Sequence, residues 1–286
     1  MEQSVSSMNG KVCLVTGGNS GIGKETALGL ARLGATVVIV SRNRGKGEAA
    51  ISDIRRKSGN QNVNLMVADL SSMDAVRQLA LEFRSKYDKV HVLVNNAGIF
   101  LPKRVTTADG LEATFATNHL GHFLLTNLLL DLLKASAPSR VINITSDAHK
   151  GAEIDFEDLM GEKKFSGFKA YGQSKLANVL FTYELARRLE GTGVTVNCLH
   201  PGVVRTGFGK DVGGLFSIGV RVVSPFMMSP EKAARAAVYL ASSPELKGIT
   251  GKHFSKGKEE KSSRESYDQA TADRLWQVSA ELTKLS

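Results

Sequence analysis

Short apolar runs rich in β-branched residues alternate along the chain with longer stretches whose apolar residues recur at helical spacing. Val12-Cys13-Leu14-Val15 is an unbroken apolar run closed by a glycine-rich turn, the pattern of a strand buried on both faces. The same pattern predicts strands over 12–15, 36–40, 63–68, 90–94, 140–145 and 194–199. Helices are predicted over 23–33, 46–56, 72–87, 111–134, 171–190 and 230–241, with Gly34 placed to end the first and Pro230 at the first turn of the last. Leu275, Val278, Leu282 and Leu285 share one helical face, so a C-terminal amphipathic helix over 265–286 is expected to lie on the core.

Strict βαβα alternation demands a parallel sheet with helices on both faces. No proline- or glycine-rich linker divides residues 1–286, so the expectation is a single α/β domain with a doubly wound parallel sheet of the Rossmann type. Two segments stand outside the alternation, 147–169 and 201–229. Each follows the carboxyl end of a strand, where ligands bind in such sheets.

Composition narrows the class. With 42% hydrophobic and 23% charged residues in 286, the chain is neither disordered nor of low complexity. Cys13 and Cys198 are its only cysteines, which excludes a disulfide scaffold and a four-thiolate zinc site. The net charge of +9 admits a nucleic acid, a membrane surface or an anionic ligand as partner. Met1 to Gly10 is polar and no apolar stretch reaches spanning length, so the expected setting is cytoplasmic or another soluble intracellular compartment.

The chemistry gathers at predicted strand ends. After the first strand comes Thr16-Gly17-Gly18-Asn19-Ser20-Gly21-Ile22-Gly23 and then a helix. Glycines there let the backbone approach a pyrophosphate, and the helix N-terminus presents N–H groups with the positive end of the dipole. Behind the second strand, where a carboxylate would grip ribose hydroxyls, stand Ser41-Arg42 with Arg44 and Lys46, which favours NADP(H) over NAD(H). Asp69, followed by Leu70, ends the third strand and is placed either to bond an adenine or to cap the next helix. Asn95-Asn96-Ala97-Gly98 ends the fourth, either as a close approach for the cofactor or as an ordinary turn.

Tyr171 and Lys175 share a helix face, either as a tyrosine packed on a lysine stem or as a working pair, in which an ammonium beside a phenol is expected to lower the phenol's pKa toward general-acid range. Ser146 follows the fifth strand, facing the same region. Asn118, midway along the long helix, is read either as a hydrogen-bonding site residue or as an amide that pins the helix.

In this order these motifs resemble the short-chain dehydrogenase/reductase family over nearly the whole chain. The resemblance implies that Tyr171 moves a proton at the carbonyl oxygen, that Lys175 binds the nicotinamide ribose, that Ser146 polarises the carbonyl and that Asn118 holds a water. It further implies that Gly17, Asn19, Ser20, Gly21, Ile22, Gly23, Arg42, Asp69, Leu70, Asn95, Ala97, Gly98, Tyr171, Lys175, Pro201, Gly202, Val204 and Thr206 line the NADP(H) site. Gly21-Ile22-Gly23-Lys24-Glu25-Thr26, Asn118-His119-Leu120-Gly121-His122-Phe123, Ser174-Lys175-Leu176-Ala177-Asn178 and the tail His253-Phe254-Ser255 with Leu275-Trp276 are most similar to the retinol dehydrogenase branch. That branch commonly begins with a hydrophobic anchor, which Met1 to Gly10 does not supply. Dimerisation through the helices 111–134 and 171–190 is likewise implied.

The apolar segment 215–228 reads as a substrate lid, as a buried connecting helix, or as a shallow membrane contact through Arg221. His119 and His122 have no third ligand nearby, so no metal is expected and they read as helix-surface residues. The function expected is hydride transfer between NADP(H) and a hydrophobic carbonyl or alcohol. Reduction of a C=C bond in a large pigment-like substrate and a non-catalytic NADP(H)-sensing role are the alternatives. No helix carries the clustered basic face that nucleic acid requires. The positive charge is local: Arg42, Arg44 and Lys46 at the cofactor, and a basic stretch over 247–264 that reads as a solvated loop.

Overall fold

Residues that alternate along each buried strand feed two separate apolar layers, and this fixes the architecture of the computed structural model, which describes residues 4–204 and 228–285. The strands are β1 (Val12–Thr16), β2 (Thr36–Ser41), β3 (Val63–Val67), β4 (Val92–Asn95), β5 (Ser139–Ile144), β6 (Val194–His200), β7 (Lys252–Ser255) and β8 (Lys258–Glu259). They form one sheet in the order β3-β2-β1-β4-β5-β6-β7-β8. Every pairing is parallel except β7 with β8. Chain direction across the sheet reverses between β1 and β4, which opens a crevice at their carboxyl ends.

Helices α1 (Gly21–Arg32) and α2 (Arg44–Ser58) cover one face, together with α8 (Pro230–Ser242). Leu28, Ile54 and Leu240 from these helices pack there with Val15, Ile39 and Val94. The opposite face carries α3 (Met73–Lys86), α5 (Gly121–Leu128) and α7 (Gly167–Arg188). Phe83, Phe123 and Leu180 from these pack with Leu14, Val38 and Val141. This is the expected doubly wound α/β fold, with predicted boundaries moved by one to four residues.

Two expectations are corrected. The long helix over 111–134 is interrupted. Glu112 caps a single turn, α4 (Ala113–Phe115), by accepting the N–H groups of Thr114 and Phe115. A π-helical turn, Ala116–Leu120, follows before α5, and Leu129 leaves the helical region ahead of α6 (Leu130–Ala135). Hydrophobic periodicity does not register such a bulge, because it inserts one residue without changing which residues are apolar.

Residues 247–264 are not a plain loop. They contain β7 and β8, joined at Lys256-Gly257, both with positive φ as a tight hairpin requires. Only His253 and Phe254 of β7 are buried, so the strand is hidden among charged neighbours in the sequence.

Helices α5 and α7 are packed against by the C-terminal segment of the same chain. The C-terminal helix α9 (Gln269–Leu282) lies across α5 and α7. Its Trp276 ring stands 5.0 Å from Phe123 and 5.9 Å from Phe181, with the Arg188 guanidinium 4.1 Å above it. Gln269 donates to Glu184 at 2.8 Å, and Arg187 pairs with Asp273 at 3.2 Å.

Of the segment 201–229, read as a lid, all but its two ends lies outside the described residues. Those ends are tied together: Val204 and Met228 form a parallel bridge, and Met228 N–H donates to the Val203 carbonyl at 2.8 Å. Among the described residues no helix is long and apolar enough to cross a membrane.

Candidate active site

Every described residue singled out from the sequence lies at the carboxyl edge of the sheet or on a helix that starts there. Gly17, Asn19, Ser20, Gly21, Ile22 and Gly23 form the β1–α1 turn and the first turn of α1, and Arg42 follows β2. Asp69 and Leu70 follow β3, and Asn95 to Gly98 end β4. Asn118 sits in the π turn, Ser146 follows β5, and Pro201, Gly202 and Val204 follow β6. Thr206 lies outside the described residues.

The glycine turn is shaped for close approach. Gly17 has φ 66°, and a Cβ there would lie 2.9 Å from the Ala97 Cα. On Gly23 a Cβ would meet the Gly17 carbonyl oxygen at 2.4 Å. Ser20 is the N-cap of α1 without a side-chain cap, and the first turn holds no acidic residue. A glycine-rich turn against an uncapped helix N-terminus fits the diphosphate of a dinucleotide. At the other end of the crevice, a Cβ on Gly98 would stand 3.4 Å from Asn118 Oδ1 and 3.5 Å from Lys175 Nζ. The floor beside Lys175 is therefore bare backbone, which suits a flat ring.

Arg42 is largely exposed, and its guanidinium lies 3.8 Å from Asp69 Oδ2. The other Asp69 oxygen accepts both the N–H and the hydroxyl of Ser71, while Ser72 is the N-cap of α3. Asp69 thus organises the turn before the helix, and the cap itself belongs to Ser72. Asn95 is buried, donating to Thr126 at 2.9 Å and Asn143 at 2.8 Å, so its amide braces the strand ends beneath the crevice.

Four side chains converge. Tyr171, on α7, is hydrogen-bonded at its hydroxyl to Ser146, and burial pushes the phenol up to about 12 despite the bond. Lys175 is buried, donates to the Ile144 carbonyl at 3.1 Å, and lies 5.6 Å from the centre of the Tyr171 ring. Burial pushes its ammonium down to about 8. The expected lowering of the phenol by its lysine neighbour is therefore not what these two groups show. Desolvation dominates both and favours their neutral forms. Asn118 accepts the Ile99 N–H at 2.7 Å and donates to the Ile99 carbonyl and the Ser174 hydroxyl, each at 3.0 Å. Asn118 thus pins the π turn to the backbone of Ile99.

Sequence reasoning missed the histidines. The π turn and α5 hold His119 and His122, which are buried rather than on a helix surface. His149 hydrogen-bonds the Ser146 carbonyl at 2.6 Å and accepts the Ser263 N–H at 3.2 Å, which ties the Ser146 loop to the C-terminal segment. His200 accepts the Asp147 N–H at 3.2 Å, and its other nitrogen faces an Asp147 carboxylate oxygen at 3.2 Å. The Ser146 loop is thereby fastened to the end of β6, next to Pro201-Gly202. For two of them the available signal was position: His149 stands three residues after Ser146, and His200 ends β6 beside Pro201. Around the mouth, Phe100 lies 5.0 Å from Phe168 and edge-on to Tyr171 at 5.9 Å. Among the described residues no group of three His, Cys, Asp or Glu side chains gathers to hold a metal.

Residues 11–213 match the short chain dehydrogenase family. Over 284 residues the chain is 48% identical to retinol dehydrogenase 13 of Homo sapiens, an alignment covering 96% of this chain and 85% of that protein. Over 273 residues it is 46% identical to retinol dehydrogenase 12 of Mus musculus, covering 96% and 86%. Among solved structures, an uncharacterised protein from Mycobacterium paratuberculosis is 34% identical with a TM-score of 0.79, covering 98% of this chain and 96% of that one. The Pseudomonas aeruginosa RhlG/NADP active-site complex is 30% identical with a TM-score of 0.70, covering 89% and 97%.

Proposed function

This chain belongs to the short-chain dehydrogenase family, an oxidoreductase family, and from that membership and the site above we propose that it interconverts an apolar carbonyl compound and its alcohol with NADP(H). The observation that carries the reading is the meeting of Tyr171, Ser146 and Lys175 beside the bare backbone of Gly98. When bound, NADP(H) supplies or takes up the hydride. The glycine turn and the N-terminus of α1 would hold its diphosphate, and Arg42 the 2′-phosphate.

The protein's own part is positioning and proton transfer. Tyr171 and Ser146 present two hydroxyls to one carbonyl oxygen, fixing it by two hydrogen bonds. A phenol held well above neutrality rests protonated, so Tyr171 donates its proton at that oxygen during reduction. Lys175, held on Ile144, places a polar group behind the ring of Tyr171 and beneath Gly98.

The side chains around the mouth support an apolar substrate. Phe100 stands edge-on to Tyr171 and packs on Phe168, and Val203 is exposed just after β6. Apolar walls around one polar end suit an aliphatic or polyene aldehyde, of which retinaldehyde is one, better than a sugar. NADPH oxidation followed over retinaldehyde, medium-chain aldehydes, quinones and steroid ketones tests this. Turnover concentrated on the apolar aldehydes or ketones is expected, and a flat response would overturn it.

A further inference from the structure

Thr16, at the end of β1, joins three separate parts of the site through one hydroxyl. Its oxygen accepts the N–H groups of Asn96 at 2.9 Å and Ala97 at 3.0 Å. It also lies 2.8 Å from His122 Nε2 and 3.4 Å from the Val94 carbonyl. The other ring nitrogen, His122 Nδ1, is 3.0 Å from the backbone carbonyl of Asn118.

These contacts determine the tautomer. A carbonyl only accepts, so Nδ1 must carry the proton, which leaves Nε2 of the neutral ring as an acceptor. The Thr16 oxygen already accepts two N–H groups, and its own proton is free to go to the nearer partner, Nε2. His122 is buried, and burial pushes its imidazole down to about 4, so the ring is neutral over the working range. Every polar atom of the ring is satisfied in this arrangement alone.

The hydrogen bonds close on themselves. Thr16 holds Asn96 and Ala97; Gly98 and Ile99 follow; Ile99 is bonded through both backbone groups to the Asn118 side chain; and the Asn118 carbonyl returns through His122 to Thr16. The Asn118 carbonyl sits in the π turn, where the regular helical ladder is broken. We propose that His122 is a positioning residue that locks Asn118 and the glycine turn in register, so that the floor under the nicotinamide ring and the turn holding the diphosphate move as one body. The role rests on the function proposed above.

Two variants separate the two halves of the bridge. In His122→Asn the amide nitrogen falls near the place of Nδ1, keeping the Asn118 bond and losing the Thr16 bond. In His122→Gln the amide oxygen falls near the place of Nε2, with the opposite result. NADPH affinity is read by fluorescence titration, kcat and KM by turnover, and folding by thermal midpoint. His122→Asn is expected to weaken NADPH binding about fivefold to tenfold with kcat little changed, and His122→Gln to lower kcat by a similar factor with binding little changed. A double-mutant cycle of Thr16→Val with His122→Phe reads the bridge directly, with the double variant binding NADPH no worse than the poorer single one. Variants that lower only the thermal midpoint, or effects that simply add in the cycle, overturn the role. A wild-type chain that neither bound NADPH nor turned over a carbonyl would end the functional reading and this role with it, whereas an active wild type with an indifferent His122 ends this role alone.

Discussion

Lys175 holds its ammonium 5.6 Å from the centre of the Tyr171 ring, inside the protein, on the carbonyl of Ile144. Burial pushes this group down to about 8, so folding opposes its charged form. The Ile144 carbonyl keeps a second donor in Asn178 at 3.5 Å. Lys175→Met should therefore leave the thermal midpoint unchanged or higher while lowering turnover roughly a hundredfold or more. A variant that lost stability along with activity would show that the ammonium is structural.

Arg42 follows the end of β2 directly and leans on Asp69, at 3.8 Å. Arg42→Asp should weaken NADPH by more than about tenfold through loss of a charge-assisted contact, with little change for NADH. Titration with both cofactors checks this, and equal effects on both would remove the 2′-phosphate from that position.

Buried neutral histidines make the fold sensitive to acid. Burial pushes His119 down to about 3 and His122 and His253 to about 4, against an ordinary value near 6.5. As pH falls through 6.5 the unfolded chain takes up these protons and the folded chain does not. Their contribution is thus complete above that value and is lost as pH drops toward 4, at about 1.4 kcal/mol per pH unit for each histidine. Thermal midpoints should fall steadily from about pH 7 to pH 4.5. A flat profile across that range would mean that these rings are not held neutral.

Trp276 fastens α9 over Phe123 and Phe181. Trp276→Ala should cost about 3 kcal/mol in urea unfolding. It should also expose the covered faces of α5 and α7 and promote self-association visible by light scattering. An unchanged midpoint would show that α9 does not close this surface.

Periodicity and turn chemistry made the sheet legible because each buried strand is a clean apolar run, as Val12 to Val15 and Thr36 to Val40 show. The site was legible for a related reason. Gly17 and Gly23 mark places where a Cβ would collide, and Tyr171 and Lys175 lie at helical spacing. What escaped was built from long-range contacts. His122 to Thr16 spans 106 positions and His149 to Ser263 spans 114, so no local pattern signals either bond. The π turn at Asn118 and the strand at His253-Phe254 escaped because an inserted residue and a short charged strand leave the hydrophobic pattern almost unaltered.

The central claim is proton transfer by Tyr171 coupled to hydride transfer with NADP(H). The most direct measurement is NADPH oxidation on an apolar aldehyde by the wild-type chain and by Tyr171→Phe, with NADPH affinity determined for both. The account predicts that the variant binds NADPH within about threefold of wild type and loses turnover by a factor of about a hundred to ten thousand. Near wild-type turnover by Tyr171→Phe would contradict it.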